Sequence, residues 1–160
     1  MTSLAIHGGA GALPRSEMTP EREREFHSAL HSALAAGQRV LASGGSSLDA
    51  VEAAVVWMED CPLFNAGRGS SFTREGHCEM EASIMEGATR QAGSTSLLRR
   101  VRNPVRLARA VMTKTPHVTL AGPAAERFAV MSIAYQRRLR KSPPRLCSFL
   151  SSRRDARFTT

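Results

Sequence analysis

Ser46-Ser47-Leu48-Asp49-Ala50-Val51-Glu52-Ala53-Ala54-Val55-Val56-Trp57-Met58-Glu59-Asp60 runs straight into Cys61-Pro62-Leu63-Phe64-Asn65-Ala66-Gly67-Arg68-Gly69. The first part is helix text. Ser46 suits an N-cap, Asp49 three residues on completes a short capping box, and Leu48, Val51, Ala54, Val55 and Met58 recur at helical spacing. Pro62 closes the helix, and Gly67-Arg68-Gly69 reads as a turn. A segment with one proline and two glycines cannot continue the helix, so its carbonyls need other partners. Curled carbonyls suit a hard cation such as sodium or calcium; a surface loop with satisfied turns explains the same text. Asn65 could aim an amide at a substrate, although loop asparagines more often bond local backbone.

Upstream, Leu4-Ala5-Ile6 reads as a strand running into the glycine turn His7-Gly8-Gly9-Ala10-Gly11. A helix follows, with Thr19 as N-cap, Pro20 in its first turn and Glu21, Glu23 and Glu25 complementing the dipole. Phe26, Leu30, Ala33, Leu34 and Leu41 supply its apolar face, and Gly44-Gly45 ends it. Downstream, 70–73 and 78–85 read as strands of a hairpin turning at Arg74-Glu75-Gly76-His77. Residues 92–98 suggest a further strand. Asn103-Pro104 opens a helix, 118–121 reads as a strand, and 123–130 as a last helix.

The chain has 160 residues, 42% hydrophobic and 22% charged, which is globular composition for one domain. No apolar run reaches the roughly 18–20 residues of a membrane helix, and Met1 to His7 lacks the pattern of a secretory signal. Cys61, Cys78 and Cys147 are odd in number and show no CxxC spacing, which argues against a disulfide framework or a cysteine-rich zinc site and fits the cytoplasm. The net charge of +8 is uneven. Residues 1–135 hold 14 Lys+Arg against 13 Asp+Glu, whereas 136–160 hold 8 against one. The basicity belongs to the last 25 residues, which lack apolar periodicity and read as disordered or loosely helical. Phe149 and Phe158 are their only aromatics, which disfavours stacked recognition of nucleic acid.

Several chemistries fail on spacing. Gly9 to Pro14 lacks the third glycine of a dinucleotide fingerprint, and no Gly-Lys-Ser/Thr or Gly-x-Ser-x-Gly occurs. His27 and His31 stand at i, i+4 without an intervening His-Glu-x-x-His pattern or third ligand, so a solvated face explains them better. Glu79, Glu81 and Glu86 could act as paired carboxylates; a solvated strand face is the plainer account. The residues alone therefore lead to an α/β or α+β domain with a glycine turn and a candidate cation loop.

Taken together, six stretches resemble the plant-type asparaginase and isoaspartyl peptidase family of N-terminal-nucleophile hydrolases. They are residues 4–11, 47–55, 61–69, Met80-Glu81-Ala82-Ser83-Ile84-Met85-Glu86-Gly87, 101–109 and 115–122. The resemblance covers about residues 3–130 and implies an α+β fold, here a partial αββα sandwich. It implies hydrolysis of the asparagine side-chain amide or of β-aspartyl peptide bonds by a threonine freed through self-cleavage. It places Gly8, Gly9 and Asn65 near that nucleophile. It also implies a structural sodium ion held by the backbone carbonyls of Met58, Glu59, Cys61, Phe64, Ala66 and Arg68, and no other cofactor.

The family's nucleophile opens a Gly-Thr-Val-Gly-like stretch, and none occurs here. Thr95 falls on a strand of the scaffold half, and Thr159 and Thr160 have no chain beyond them. Glu81 and Glu86 stand where aspartate is usual. The expectation is a scaffold-half region over 1–130, inactive alone and completed by a β-subunit-like chain or homologue, followed by an unmatched basic tail over 131–160 that is native or frameshifted. The alternative is a non-catalytic binding or partner protein, or a truncated product, whose tail touches nucleic acid or anionic surfaces; no membrane is expected.

Overall fold

The computed structural model describes residues 2–9 and 15–132. The rest of the glycine turn, residues 10–14, and nearly all of the basic tail lie outside the described residues.

Both long helices start where their caps predict. α1 spans Pro20–Ala42, and the Thr19 hydroxyl accepts the Arg22 N–H at 3.2 Å. α2 spans Ser47–Asp60 behind a full capping box: Asp49 N–H donates to Ser46 Oγ at 3.1 Å, and Ser46 N–H donates to Asp49 Oδ2 at 3.3 Å. The two helices pack together through small residues. Ala29, Ala33 and Gly37 are the buried positions of α1, flanked by half-buried leucines. A methyl group at Gly37 would sit 2.8 Å from the Ala50 carbonyl oxygen, so backbone meets near-bare backbone there.

The sheet has three strands in the order β1 (Met80–Met85), β2 (Ala92–Leu98), β3 (Thr119–Ala121). β1 and β2 are antiparallel, with Ser83 opposite Ser94. β2 and β3 are parallel, with Thr95 beside Leu120. Parallel neighbours need a crossover, which α3 (Pro104–Lys114) provides before β3 leads into α4 (Gly122–Met131). The hairpin therefore differs from the one expected. Residues 70–73 form no strand; only Phe72 bridges Cys78, and β1 turns through 86–91 to pair with β2. Leu4-Ala5-Ile6 likewise lies in no strand.

β2 carries a bulge. Ser96 and Leu97 oppose Glu81 alone, between the pairs Thr95–Ala82 and Leu98–Met80. Leu97 takes φ 54°, which turns its side chain out, 56% exposed, and returns Leu98 to the core.

α3 is the central buttress. Val105 and Ala108 pack with Leu48 of α2 and Ile84 of β1. Leu107 packs with Met80, Leu98, Val101, Ala125 and Ala129. Burying a leucine such as Leu107 completely contributes about 2 kcal/mol. Glu126 of α4 accepts the N–H groups of Arg99 and Arg100 at 2.8 and 2.9 Å and so fixes the turn leaving β2. These elements establish the α+β class. The opposite face of the sheet carries Glu81, Ser83 and Met85 exposed.

Candidate functional site

The site starts where α2 ends. Cys61 N–H donates to Met58 O at 3.1 Å, and Pro62 then prevents another helical turn. The chain curls back on itself: Ala66 N–H donates to Phe64 O at 2.8 Å, Gly69 to Ala66 O at 3.0 Å and Ser70 to Gly67 O at 3.3 Å. The loop closes so tightly that side chains are excluded. A methyl at Gly67 would overlap the Glu59 carbonyl, and one at Gly69 would overlap that of Phe64 and stand 2.7 Å from that of Pro62. Gly67 also needs its φ of 51°.

Of the six carbonyls in the expected cation shell, those of Met58, Phe64 and Ala66 each accept one backbone N–H and keep a second lone pair. Those of Glu59, Cys61 and Arg68 accept no hydrogen bond among the described residues. A loop presenting unsatisfied carbonyl oxygens around glycines fits a hard cation. No group of three or more His, Cys, Asp or Glu side chains suited to a metal occurs among the described residues; His27 and His31 are both exposed.

Phe64 links the loop to the N-terminal segment. Its ring meets Phe26 and Trp57 edge to face, with centroids 6.4 and 6.5 Å apart. Gly8 lies directly upon it: a methyl there would stand 2.9 Å from Phe64 Cε1 and 2.9 Å from Leu30 Cδ2. The structure thus brings the Gly8 stretch onto the loop that bears Asn65. Gly9 takes φ 102° and donates its N–H to His7 Nδ1 at 3.2 Å. Asn65 is exposed, and its Oδ1 accepts the Ser71 N–H at 2.9 Å. That bond is the local role the sequence favoured, and it leaves the amide NH2 edge as a donor.

Two features escaped the sequence reading. Glu59, expected only as a carbonyl donor, buries its side chain to 3% exposure. Its Oε1 accepts the Val105 N–H at the start of α3 at 2.9 Å, while Oε2 is buried without a hydrogen-bond partner. Burial pushes its carboxyl up to about 7, against the Val105 and Asn103 hydrogen bonds. The signal was an acid four residues after Val55, on the apolar side of α2. The second feature is a seam of ion pairs between α2 and α3. Arg102 grips Asp60 with two bonds of 2.8 Å, Arg106 stands 3.4 Å from Glu52, and Arg109 reaches Asp49 at 2.6 Å and Glu52 at 2.7 Å. Arginines spaced four and three apart, with acids upstream, were its trace. Glu79 is likewise paired, accepting Arg99 Nε at 2.9 Å, and Glu81 is exposed.

Among known proteins, the chain matches the asparaginase family over residues 1–139. It is 47% identical over 126 residues to the isoaspartyl peptidase of Salmonella typhimurium, covering 79% of this chain and 40% of that protein. It is 44% identical over 126 residues to the isoaspartyl peptidase/L-asparaginase of Rattus norvegicus (79% and 37%) and 45% identical over 129 residues to the plant-type L-asparaginase of Thermococcus kodakarensis (81% and 40%). The chain therefore spans about two fifths of the length of these relatives. No helix among the described residues is long and apolar enough to cross a membrane.

Proposed function

We propose, from the premise that this chain belongs to the asparaginase family, that it is the scaffold half of an amide hydrolase acting on asparagine or on β-aspartyl peptides. The observation that carries this is the seating of Gly8 on Phe64, which joins the two stretches of strongest resemblance into one surface beside Asn65. The attacking threonine comes from a second half. Its hydroxyl adds to the side-chain carbonyl carbon, and its own amine takes the proton. The C–N bond breaks and ammonia or the peptide amine leaves; water then hydrolyses the ester to release aspartate. Asn65, held through Oδ1, offers its NH2 to a substrate oxygen. The carbonyls of Met58, Glu59, Cys61, Phe64, Ala66 and Arg68 hold sodium, which supplies charge that keeps the loop curled.

The second half also covers the outer face of the sheet. The exposure of Glu81, Ser83 and Met85 on β1 supports this, since a sheet wet on one face accepts a second layer there. That completes the αββα sandwich. A cytoplasmic enzyme with a small soluble substrate is the setting this reading fits.

The test is ammonia release from asparagine and amine release from isoaspartyl dipeptides. The 160-residue chain alone gives no turnover. Mixed or co-expressed with the threonine-bearing half of a relative, it gains activity, and Asn65→Ala lowers kcat in that assembly about a hundredfold. Sustained turnover by the chain alone overturns the reading.

A further inference from the structure

The ions along the α2–α3 seam do not balance. Asp49, Glu52, Glu59 and Asp60 face Arg102, Arg106 and Arg109. Arg102 and Arg109 are hydrogen-bonded to Asp60 and to Asp49 and Glu52, while Arg106 stands 3.4 Å from Glu52 with its buried Nε making no hydrogen bond. Glu59 forms no ion pair among the described residues, although it is the most buried of the four acids at 3% exposure. The Val105 N–H on Oε1 and the Asn103 side chain bond its carboxyl, and Oε2 is bare. The partial positive charge at the start of α3, through Val105 N–H, offsets only part of a full negative charge. A buried carboxylate with a bare oxygen takes up a proton unless further positive charge lies nearby.

The backbone of the same residue shows where that charge sits. Glu59 presents its carbonyl into the loop, and its Cβ lies within 2.7 Å of where a Gly67 methyl would be. The loop's six donors are neutral amide oxygens. A monovalent cation held by neutral oxygens leaves one unit of positive charge buried, and the Glu59 side chain, when ionised, holds one unit of negative charge on the same residue.

We propose that the Glu59 side chain is the counter-charge of the cation in the 58–68 loop, so that cation and carboxylate compensate each other across one residue. This rests on the cation reading of the loop above. It assigns Glu59 two separate roles: its carbonyl as a ligand, and its carboxylate as a positioning group that sets affinity through charge without touching the ion.

The experiment uses the full chain at pH 8.5 and constant ionic strength, with sodium chloride exchanged against tetramethylammonium chloride. A ligand that binds only the folded state raises Tm with its concentration, so the sodium dependence of Tm gives an affinity without any assay of activity. For the natural chain Tm rises with sodium. Glu59→Gln keeps the shape and the acceptor for Val105 N–H but not the charge; it needs tenfold or more sodium for the same rise. Two failures are distinct. No sodium response in the natural chain sinks the cation reading of the loop and this inference with it. A sodium response that Glu59→Gln leaves within twofold sinks the counter-charge alone. Should Glu59→Gln fail to fold, Arg106→Gln tests the same electrostatics from the other side. The Arg106 charge bears on Glu59 and competes with the cation, so its removal tightens sodium binding about threefold; an unchanged affinity overturns the proposal.

Discussion

Two glycine turns lie only a few residues apart, and they use glycine for opposite reasons. At Gly76 in the turn after Thr73, φ is 77° and an added methyl would meet nothing within 4 Å. Thr73 N–H donates to His77 O at 2.7 Å and Gly76 N–H to Thr73 O at 3.0 Å, so local bonds hold that turn in solvent. At Gly69 the backbone needs no left-handed conformation, but an added methyl would collide with the carbonyls of Phe64 and Pro62. One glycine supplies conformation and the other supplies space. Space is demanded only where the chain packs on itself, which is how the 61–69 loop differs from the turn at Gly76.

The largest effect follows directly. Gly69→Ala must displace backbone carbonyls, which cannot rotate aside as a side chain can, so it destabilises by about 3 kcal/mol. Gly76→Ala meets only the left-handed strain of a non-glycine residue, about 1.5 kcal/mol. Urea unfolding of both variants measures the gap. Equal losses would erase the distinction between the turns, and a sodium response lost in Gly69→Ala but kept in Gly76→Ala would sharpen it.

The same contrast of setting applies to ion pairs. Arg24–Glu21 lies on α1 with both side chains 70% exposed, whereas Arg109–Asp49 joins two helices and Asp49 also closes the α2 cap. Asp49→Asn weakens both and costs about 1 kcal/mol. Glu21→Gln leaves the melt in place. The Ser46 hydroxyl first, then Arg109, holds the Asp49 carboxyl below its ordinary 3.8. A carboxyl depressed in the folded state stabilises above its unfolded value and loses that contribution as pH falls through the folded one. The contribution of Asp49 is therefore lost as pH falls below about 4, and Asp49→Asn has a shallower acid limb in melts taken from pH 6 to pH 2.5. Parallel limbs would remove Asp49 from the seam's energetics.

What could be read from the sequence was local. Thr19 and Ser46 cap helices as their residue types and spacing indicate, because a cap is settled within four residues. The elements at 104–114, 119–121 and 122–131 lie within a residue or two of expectation for the same reason. Pairing is non-local, and there the reading slipped: 70–73 has strand-like text but forms only the Phe72–Cys78 bridge, while the serine- and glycine-rich 92–98 is the central strand, with α3 packed against its bare Gly93. At the site, the Gly8 and 61–69 stretches stood out as motifs. Their contact through Phe64 did not, since fifty residues separate them. Glu59 was hidden because its position on α2 fits an apolar face and its partner, the N–H of Val105, carries no sequence signature.

The smallest predicted effect again compares like with like. Thr95 and Thr119 lie on neighbouring strands. Thr119 shares a 2.6 Å hydrogen bond with Ser94, whereas Thr95 is 1% exposed and its hydroxyl has no hydrogen-bond partner. A buried hydroxyl without a partner carries a desolvation penalty that a methyl group does not. Valine keeps the β-branched shape that suits β2 and fills nearly the same volume. Thr95→Val therefore stabilises the chain by somewhat under about 1 kcal/mol, while Thr119→Val, which strands the Ser94 hydroxyl, does not. Chemical denaturation of the two variants side by side decides the matter. A loss of stability in Thr95→Val would mean that its hydroxyl does have a partner in the folded protein, and that β2 is held by polar bonds on both faces rather than by packing on one.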